Sequence, residues 1–320
     1  MAKGSVDMQQ RTTADANNQS GTVYHNPVML AESIDGLNIR PDGIYVDATF
    51  GGGGHSRAVM SRLGEEGRLF AFDQDADAAK NAIDDARFKL IGENFRHLRS
   101  FLRLYGVRRI DGLIADLGVS SHQFDSAERG FSIRYDGPLD LRMDRRAETT
   151  ASDLVNTADE DELARLFALY GELPGARNFA RAILSARRQE AITTTQQLCK
   201  AVERLLPRGH ENKYLAMLFQ ALRIEVNGEL DALRQLLEQA VELLNSGGRV
   251  CVISYHSLED RLVKNFFKAG NFEGELKKDF YGNPQVALRV VSRHAIVPGN
   301  DELVQNNRAR SAKLRVAEKI

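Results

Sequence analysis

A run of glycines and two carboxylates have the types and spacing of a nucleotide-type site. Asp47 closes an apolar segment, and the glycines of Gly51–Gly54 follow almost directly. Asp73 closes the next apolar segment about 20 residues further on, where a carboxylate can accept ribose hydroxyls. Glycine is needed where the backbone takes a positive φ or closely approaches a ligand. These residues therefore predict a site for an adenosine-type ligand, and the alternative is a glycine-rich turn without a ligand.

The residues around the glycines narrow the choice of ligand. Gly51 and Gly53 fit the dinucleotide fingerprint G-x-G-x-x-G/A, but its third position is Ser56. No Lys or Arg lies within the glycine run, which excludes a P-loop. A carboxylate at Asp47 would repel a pyrophosphate but could hold an ammonium group directly or through water. We therefore expect S-adenosylmethionine rather than NAD or ATP.

A third acid follows another apolar segment. Asp116 opens the stretch DLGVSSHQF, and the tip of a fourth parallel strand would turn it toward the same ligand. Asp116 is therefore a candidate for the chemistry, with a loop-capping acid as the alternative. Gln123 either binds adenine or is a solvated loop amide. We interpret Ser120 and Ser121 as helix caps.

The surrounding pattern predicts a doubly wound α/β fold. Buried strands are expected over 43–49, 68–73, 88–92, 109–117 and 249–255, alternating with helical spacing over 56–63, 77–83 and 230–244. Gly247 and Gly248 are expected to end the last of these helices. Segments 287–292 and 313–319 predict a closing antiparallel pair.

Residues 129–207 have a different hydrophobic pattern, which predicts an inserted helical domain for substrate recognition. They lack buried β-runs and show helical segments over 157–170, 176–188 and 195–206. The expected organisation is a disordered tail (1–22), a main domain formed by 23–128 and 208–320, and the insert between its two halves.

The amino-acid composition limits the classes of function that this protein can have. With 43 basic and 44 acidic side chains the net charge is −1, so any contact with nucleic acid must be local. The cysteines, Cys199 and Cys251, have no metal or redox spacing, and no metal-ligand cluster is visible. No apolar run reaches the roughly 18 residues of a membrane span, and no signal peptide is visible. We expect a cytoplasmic protein without a membrane partner, and a homodimer stays open.

Two polar groups of residues could contact a substrate, which would be a base if the substrate is a nucleic acid. Gln220, Arg223 and Asn227 form one stripe on an otherwise apolar helix, and the alternative is a hydrogen-bond network between helices. After the fifth strand, Tyr255 could stack on an extruded base and His256 could contact it. The spacing of Ser257 and Asp260 resembles a capping box.

Basic residues form three groups that could track phosphates, although each alone is usually a solvated face. The groups are Arg142, Arg145 and Arg146; Arg177, Arg181, Arg187 and Arg188; and Arg308, Arg310, Lys313 and Arg315.

Seven blocks spread over about residues 24–319 resemble the MraW/RsmH family. They are HNPVML from His25, DATFGGGGHS from Asp47, DLGVSSHQFD from Asp116, ERGFSIRYDGPLDLRMD from Glu128, FQALRIEVNGEL from Phe219, ISYHSLEDRLVK from Ile253 and RARSAKLR from Arg308. The resemblance implies methylation of N4 of a cytidine in 16S rRNA of the small ribosomal subunit. It also implies a class I S-adenosylmethionine-dependent methyltransferase fold, Rossmann-like, with a helical domain inserted after the fourth strand.

Site residues carry over from the family to matching positions. The resemblance implies that the cofactor is held by Gly53, Gly54, His55, Asp73, Phe95, Asp116 and Gln123, to which we add Asp47 and Gly51. His55 would act partly through its backbone N–H, and Phe95 either borders adenine or is core packing. We hypothesise that Asp116 accepts the N4 hydrogen bond. The competing classes are a sensor that binds the cofactor without turnover and an NAD(P) oxidoreductase, which Ser56 and Asp47 disfavour.

Overall fold

The structure, a computed structural model, describes residues 27–320. The predicted disorder of residues 1–22, and the first residues of the block that begins at His25, lie outside the described residues.

A single seven-stranded sheet organises the larger part of the chain. Its strand order is β3-β2-β1-β4-β5-β7-β6; β1 to β5 pair in parallel, and β7 is antiparallel to both of its neighbours. The strands are β1 (Ile44–Asp47), β2 (Arg68–Phe72), β3 (Phe88–Ile91), β4 (Ile110–Asp116), β5 (Leu244–Ser254), β6 (Leu288–Val290) and β7 (Lys313–Lys319). This arrangement confirms the predicted doubly wound α/β class, the closing antiparallel pair and the class I methyltransferase fold.

Helices cover both faces of the sheet because side chains along a strand alternate between the faces. In β5, Val250 and Val252 face a core that also includes residues of α3, α10 and α11, whereas Cys251 and Ile253 face α1 and α2. The helices of this part are α1 (Leu30–Leu37), α2 (Gly54–Met60), α3 (Leu98–Leu104), α4 (Ser121–Asp125), α10 (Glu229–Leu243), α11 (Ser257–Ala269) and α12 (Asn300–Gln305).

The helical segment has a core of its own. It contains α5 (Ala151–Thr157), α6 (Glu160–Leu169), α7 (Ala176–Arg187) and α8 (Thr195–Val202). Its buried side chains include Phe167 and Phe179, and also Leu218 and Phe219 from α9 (Glu211–Asn227). The apolar face of α9 therefore belongs to the core of the helical segment, beyond the boundary expected at 207, and the domain boundaries stay a prediction.

Several predicted element ends were wrong. Gly247 and Gly248 do not end α10, which stops at Leu243; they lie inside β5, where the pairing register with β4 shifts in a bulge. The helix predicted over 157–170 corresponds to α6 but begins three residues later, at Glu160, because Asp159 caps α6 with its side chain. The helix expected over 77–83 is a 3₁₀ turn, Ala76–Asn81.

Arg129 joins the helical segment to the sheet. Its side chain is only 1% exposed, and its guanidinium lies 2.8 Å from the Asp75 carboxylate, just past the end of β2. The same guanidinium donates to the carbonyl oxygens of Arg142 and Met143. A buried guanidinium requires this pairing, since an unpaired charge in the interior costs several kcal/mol.

Replacing Arg129 tests this joint. Arg129→Met removes the guanidinium but keeps much of its volume, so it leaves the buried Asp75 without its ion pair. We expect the free energy of unfolding to fall by about 3–5 kcal/mol in urea denaturation. Arg145→Met, which breaks an exposed pair with Glu128, is the matched control and should cost less than about 1 kcal/mol. Equal losses in the two variants would contradict the assignment.

Candidate active site

The glycine run forms the turn between β1 and α2. Gly51 and Gly53 have φ values of 50° and 75°, which non-glycine residues rarely adopt. A Cβ at Gly54 would lie 2.1 Å from the Pro27 side chain, whereas a Cβ at Gly52 would meet no atom within 4 Å. Backbone conformation and crowding account for three of the glycines. Nothing in the described chain requires the fourth, so Gly52 marks an open approach to the backbone.

Asp47 lies beneath this turn. The residue is 1% exposed, and its carboxylate accepts hydrogen bonds from the Ser56 hydroxyl (2.7 Å) and the Thr49 amide (3.0 Å). Ser56, which occupies the position of the third glycine or alanine in the dinucleotide fingerprint, therefore serves to hold the Asp47 carboxylate. Burial raises the pKa of the Asp47 carboxyl. Whether Asp47 also helps to hold an ammonium group stays a prediction.

Asp73 ties the glycine turn to the end of β2. Its two oxygens accept from the amides of Gly51 (2.7 Å) and Asp75 (2.8 Å). Burial raises the pKa of the Asp73 carboxyl to about 6, and neighbouring Asp75 and Asp47 add to that shift. A carboxylate has about four acceptor positions, so Asp73 retains capacity for the ribose hydroxyls that the sequence analysis assigned to it.

Asp116 lies at the tip of β4, facing the glycine turn. The Tyr255 hydroxyl donates to its Oδ1 at 2.7 Å, and its Oδ2 lies 3.9 Å from Nδ1 of His55. Burial raises the pKa of the Asp116 carboxyl to about 6, although His55 and Tyr255 both oppose that shift. One carboxylate oxygen is thus fixed by a phenol, and the other faces a histidine ring.

Gln123 and Phe95 border the same edge of the sheet. Ser120 caps α4, as predicted, and the Gln123 side-chain oxygen accepts from the Ser120 amide in a capping box. The Gln123 amide nitrogen donates to Asp75 at 2.7 Å, so both ends of this buried side chain have protein partners. Phe95 is partly buried against the sheet core. Their contacts with adenine stay predictions, and the structure supplies a capping role for Gln123.

The polar stripe on α9 forms contacts within the protein. Gln220 donates to the Tyr170 carbonyl, and Arg223 forms a two-point ion pair with Glu229 at 2.8 and 3.0 Å. Asn227 joins α9 to the backbone of Leu141 and Met143. These contacts favour the alternative of a network between elements over base recognition by this stripe.

Tyr255 and His256 also have partners within the protein. The Tyr255 hydroxyl is bonded to Asp116 rather than free, and His256 is the N-cap of α11, with Glu259 as the other member of the capping box. The predicted capping pair of Ser257 and Asp260 was therefore wrong by one residue: the helix begins at Ser257, so His256 takes the capping position. Base contacts by Tyr255 and His256 stay predictions.

Side chains of metal-ligand type converge at one point within residues 27–320. Ligand atoms of Glu229, His256 and Glu259 lie within 4.8 Å of one another. Burial would raise the pKa of the Glu259 carboxyl, but His256 and Arg223 outweigh burial and hold it below its usual value. Because Arg223 already supplies a cation to this cluster, its chemistry does not call for a metal.

The predicted phosphate-tracking groups are largely ion-paired. Arg145 and Arg146 lie against Glu128 and Glu93, and Arg177 and Arg181 share Glu160. In the C-terminal group the paired residues are Arg308 with Asp125, and Lys313 and Arg315 with Asp260. These pairs agree with solvated faces, and RNA contact by these groups stays a prediction.

Three contacts at the candidate site have no signal in the local sequence. The Thr49 hydroxyl accepts a hydrogen bond from the Asp116 amide, and the Tyr255 hydroxyl donates one to the Asp116 carboxylate. Arg129 forms an ion pair with Asp75. Each joins residues that are 50 or more positions apart in the chain, so no local spacing could have revealed them.

Comparison with known proteins places these features in a family. The model of the MraW methylase family matches residues 22–320. Ribosomal RNA small subunit methyltransferase H of Flavobacterium psychrophilum is 57% identical over 291 residues, which cover 91% of this chain and all of the relative. The proteins of the same name from Flavobacterium johnsoniae and Phocaeicola vulgatus are 56% and 54% identical, each over 93% of this chain and 98% of the relative.

Two glycine substitutions separate fold from binding. Gly54→Ala should lower the free energy of unfolding by about 1–3 kcal/mol, because its Cβ would collide with Pro27. Gly52→Ala should stay within about 0.5 kcal/mol of the parent but weaken S-adenosylmethionine binding about tenfold or more, in calorimetric titration, if the ligand approaches this backbone. Unchanged affinity in Gly52→Ala would show that the ligand does not approach there.

Proposed function

Because the chain belongs to the MraW methylase family, we propose that it transfers a methyl group from S-adenosylmethionine to the exocyclic N4 of a cytidine in 16S rRNA of the small ribosomal subunit. The observation that carries this proposal is the position of Asp116. It lies at the tip of β4, opposite the glycine turn across the point where the strand order reverses. Ligands of open α/β sheets bind at this point.

The residues present suit the cofactor. S-adenosylmethionine supplies a methyl group on a cationic sulfonium, together with an adenosine and an amino acid. Asp73 would accept the ribose hydroxyls, and the open backbone at Gly52 allows close approach. The carboxylates of Asp47 and Asp116 give the crevice a negative potential that suits a cationic ligand.

Within residues 27–320, every helix is too short or too polar to span a bilayer.

Asp116 would orient the acceptor amine. The N4 lone pair is delocalised into the cytosine ring, so the amine is a weak nucleophile and gains from being aligned and hydrogen-bonded. Tyr255 holds Oδ1 and leaves Oδ2 to accept an N4 hydrogen. As the nitrogen–methyl bond forms, the sulfonium bond electrons stay on sulfur and the nitrogen becomes acidic. The ionised Asp116 then takes up the proton.

The reaction itself is tested by methyl transfer to small subunits that lack the modification. Labelled S-adenosylmethionine is supplied, and digested rRNA is analysed by nucleoside mass spectrometry. We expect the label in N4-methylcytidine. Cofactor binding without any labelled nucleoside would overturn the proposal and favour a sensor, whereas label in another nucleoside would overturn the assignment of N4.

The role of Asp116 predicts a pH profile. Activity of the parent protein should fall as pH drops below about 6, because protonation removes the hydrogen-bond acceptor. Asp116→Asn should reduce single-turnover methyl transfer by about 100-fold or more and abolish this acid limb. Asp42→Asn, at an exposed carboxylate just before β1, is the control. Parental turnover in Asp116→Asn, at unchanged cofactor affinity, would exclude the role.

The same substitution should stabilise the protein. A carboxyl whose pKa rises on folding binds protons more tightly in the folded state, so its stabilising contribution is present at low pH and is lost as pH rises through about 6. At pH 8, Asp116→Asn should therefore raise the free energy of unfolding, by at most about 3 kcal/mol. The gain should vanish below about pH 4. A gain that is independent of pH would point to packing rather than to charge.

A further inference from the structure

The His55 ring has a defined position in the site. His55 is 6% exposed and lies in the first turn of α2, next to the glycine turn. Its Nε2 lies 3.1 Å from the Val28 carbonyl oxygen. A carbonyl oxygen can only accept, so Nε2 must carry a proton. In the neutral ring the lone pair is therefore on Nδ1.

That lone pair faces the carboxylate that the proposed reaction uses. Nδ1 lies 3.9 Å from Oδ2 of Asp116, the oxygen that Tyr255 leaves free. The distance exceeds a direct hydrogen bond but allows a small tilt of the ring, or one water, to bridge the two atoms. The titratable groups around the pair are the Asp47 carboxylate on β1, and the neutral Tyr255 phenol and the Glu259 carboxylate beyond the end of β5.

We propose that His55 is a positioning residue for Asp116 and the final holder of the proton released in methyl transfer. This inference rests on the proposed function. The amine proton passes to Asp116 Oδ2 and then to Nδ1 of neutral His55, which leaves an imidazolium beside a carboxylate. The products are then S-adenosylhomocysteine and the methylated cytidine, and the proton reaches solvent when they leave. Atoms and charge balance without any further reactant.

A charged pair is a better final state for the proton than a protonated Asp116. Neutral Asp116 would lose the ionised form that accepts the amine of the next substrate. Transfer to His55 restores the Asp116 carboxylate before the products leave. The contact between Nε2 and Val28 keeps the ring facing Asp116 in both protonation states, since Nε2 donates in both.

The test uses His55→Gln in the full-length protein. A glutamine amide can reach the Val28 carbonyl in place of Nε2, but it offers no titratable group toward Asp116. We expect single-turnover methyl transfer at saturating cofactor to fall by about 10- to 100-fold. At pH values where His55 is protonated, its charge lowers the pKa of Asp116, so in His55→Gln the acid limb of the pH profile should move to higher pH.

A double-mutant cycle separates this role from a structural one. If His55 acts through Asp116, adding His55→Gln to Asp116→Asn should cause no further loss of rate. Losses that multiply in the double variant, or a parental rate in His55→Gln, would overturn the inference. An inactive parent protein would instead overturn the proposed function. Should His55→Gln fail to fold, the ¹⁵N chemical shifts of the parent's histidine rings decide: a neutral His55 protonated on Nδ1 would contradict the relay.

Discussion

Three carboxylates meet at one edge of a parallel sheet, and the loops around the site are arranged to hold them there. Asp47, Asp73 and Asp116 end or follow β1, β2 and β4, which are neighbours in the sheet. Burial raises the pKa of each carboxyl, and the charge of Asp47 adds to that shift at Asp73 and Asp116. Hydrogen-bond donors close to each carboxylate oppose this rise in pKa. Ser56 and Thr49 donate to Asp47, backbone amides donate to Asp73, and the Tyr255 phenol donates to Asp116. The glycine turn provides part of this solution, because the Gly51 amide points at Asp73.

Two arginines, one buried and one half-buried, bring positive charge to this region, and each also joins two parts of the structure. Arg129 brings the start of the helical segment to Asp75, and Arg223 joins α9 to Glu229 at the start of α10. Glu259 at the start of α11 accepts the Tyr255 amide and so fixes the residue that holds Asp116. The contacts among Arg223, Glu229 and Glu259 therefore help to position Tyr255 at the site, although these polar groups face one another rather than a substrate. A buried pair of this kind is a weak source of net stability but a strong constraint on geometry.

The sequence was informative wherever the signal is local. Periodicity located all the parallel strands, and the order of glycines and acids located the site, because a strand, its following turn and the next helix are adjacent in the chain. Helix ends were less predictable, as the bulge at Gly247 and Gly248 shows: two glycines mark a break in regular structure but do not say which element is broken. The partners of Gln220, Arg223 and Asn227 could not be predicted, because a polar stripe has the same spacing whether it faces a substrate or another loop.

Raised carboxyl pKa values connect the stability of the fold to its ligand. Ionised Asp73 and Asp116 destabilise the protein above about pH 6, since their folded-state pKa values exceed the usual value for aspartate. A ligand that carries a sulfonium and an ammonium group offsets this cost only when the carboxylates are ionised. Binding of such a ligand must then release protons at mildly acidic pH, and it must stabilise the folded state most where the empty site is least favourable. Under the proposed function, the same charges that weaken the empty protein favour a cationic cofactor, and one of them, Asp116, accepts the proton that the amine loses.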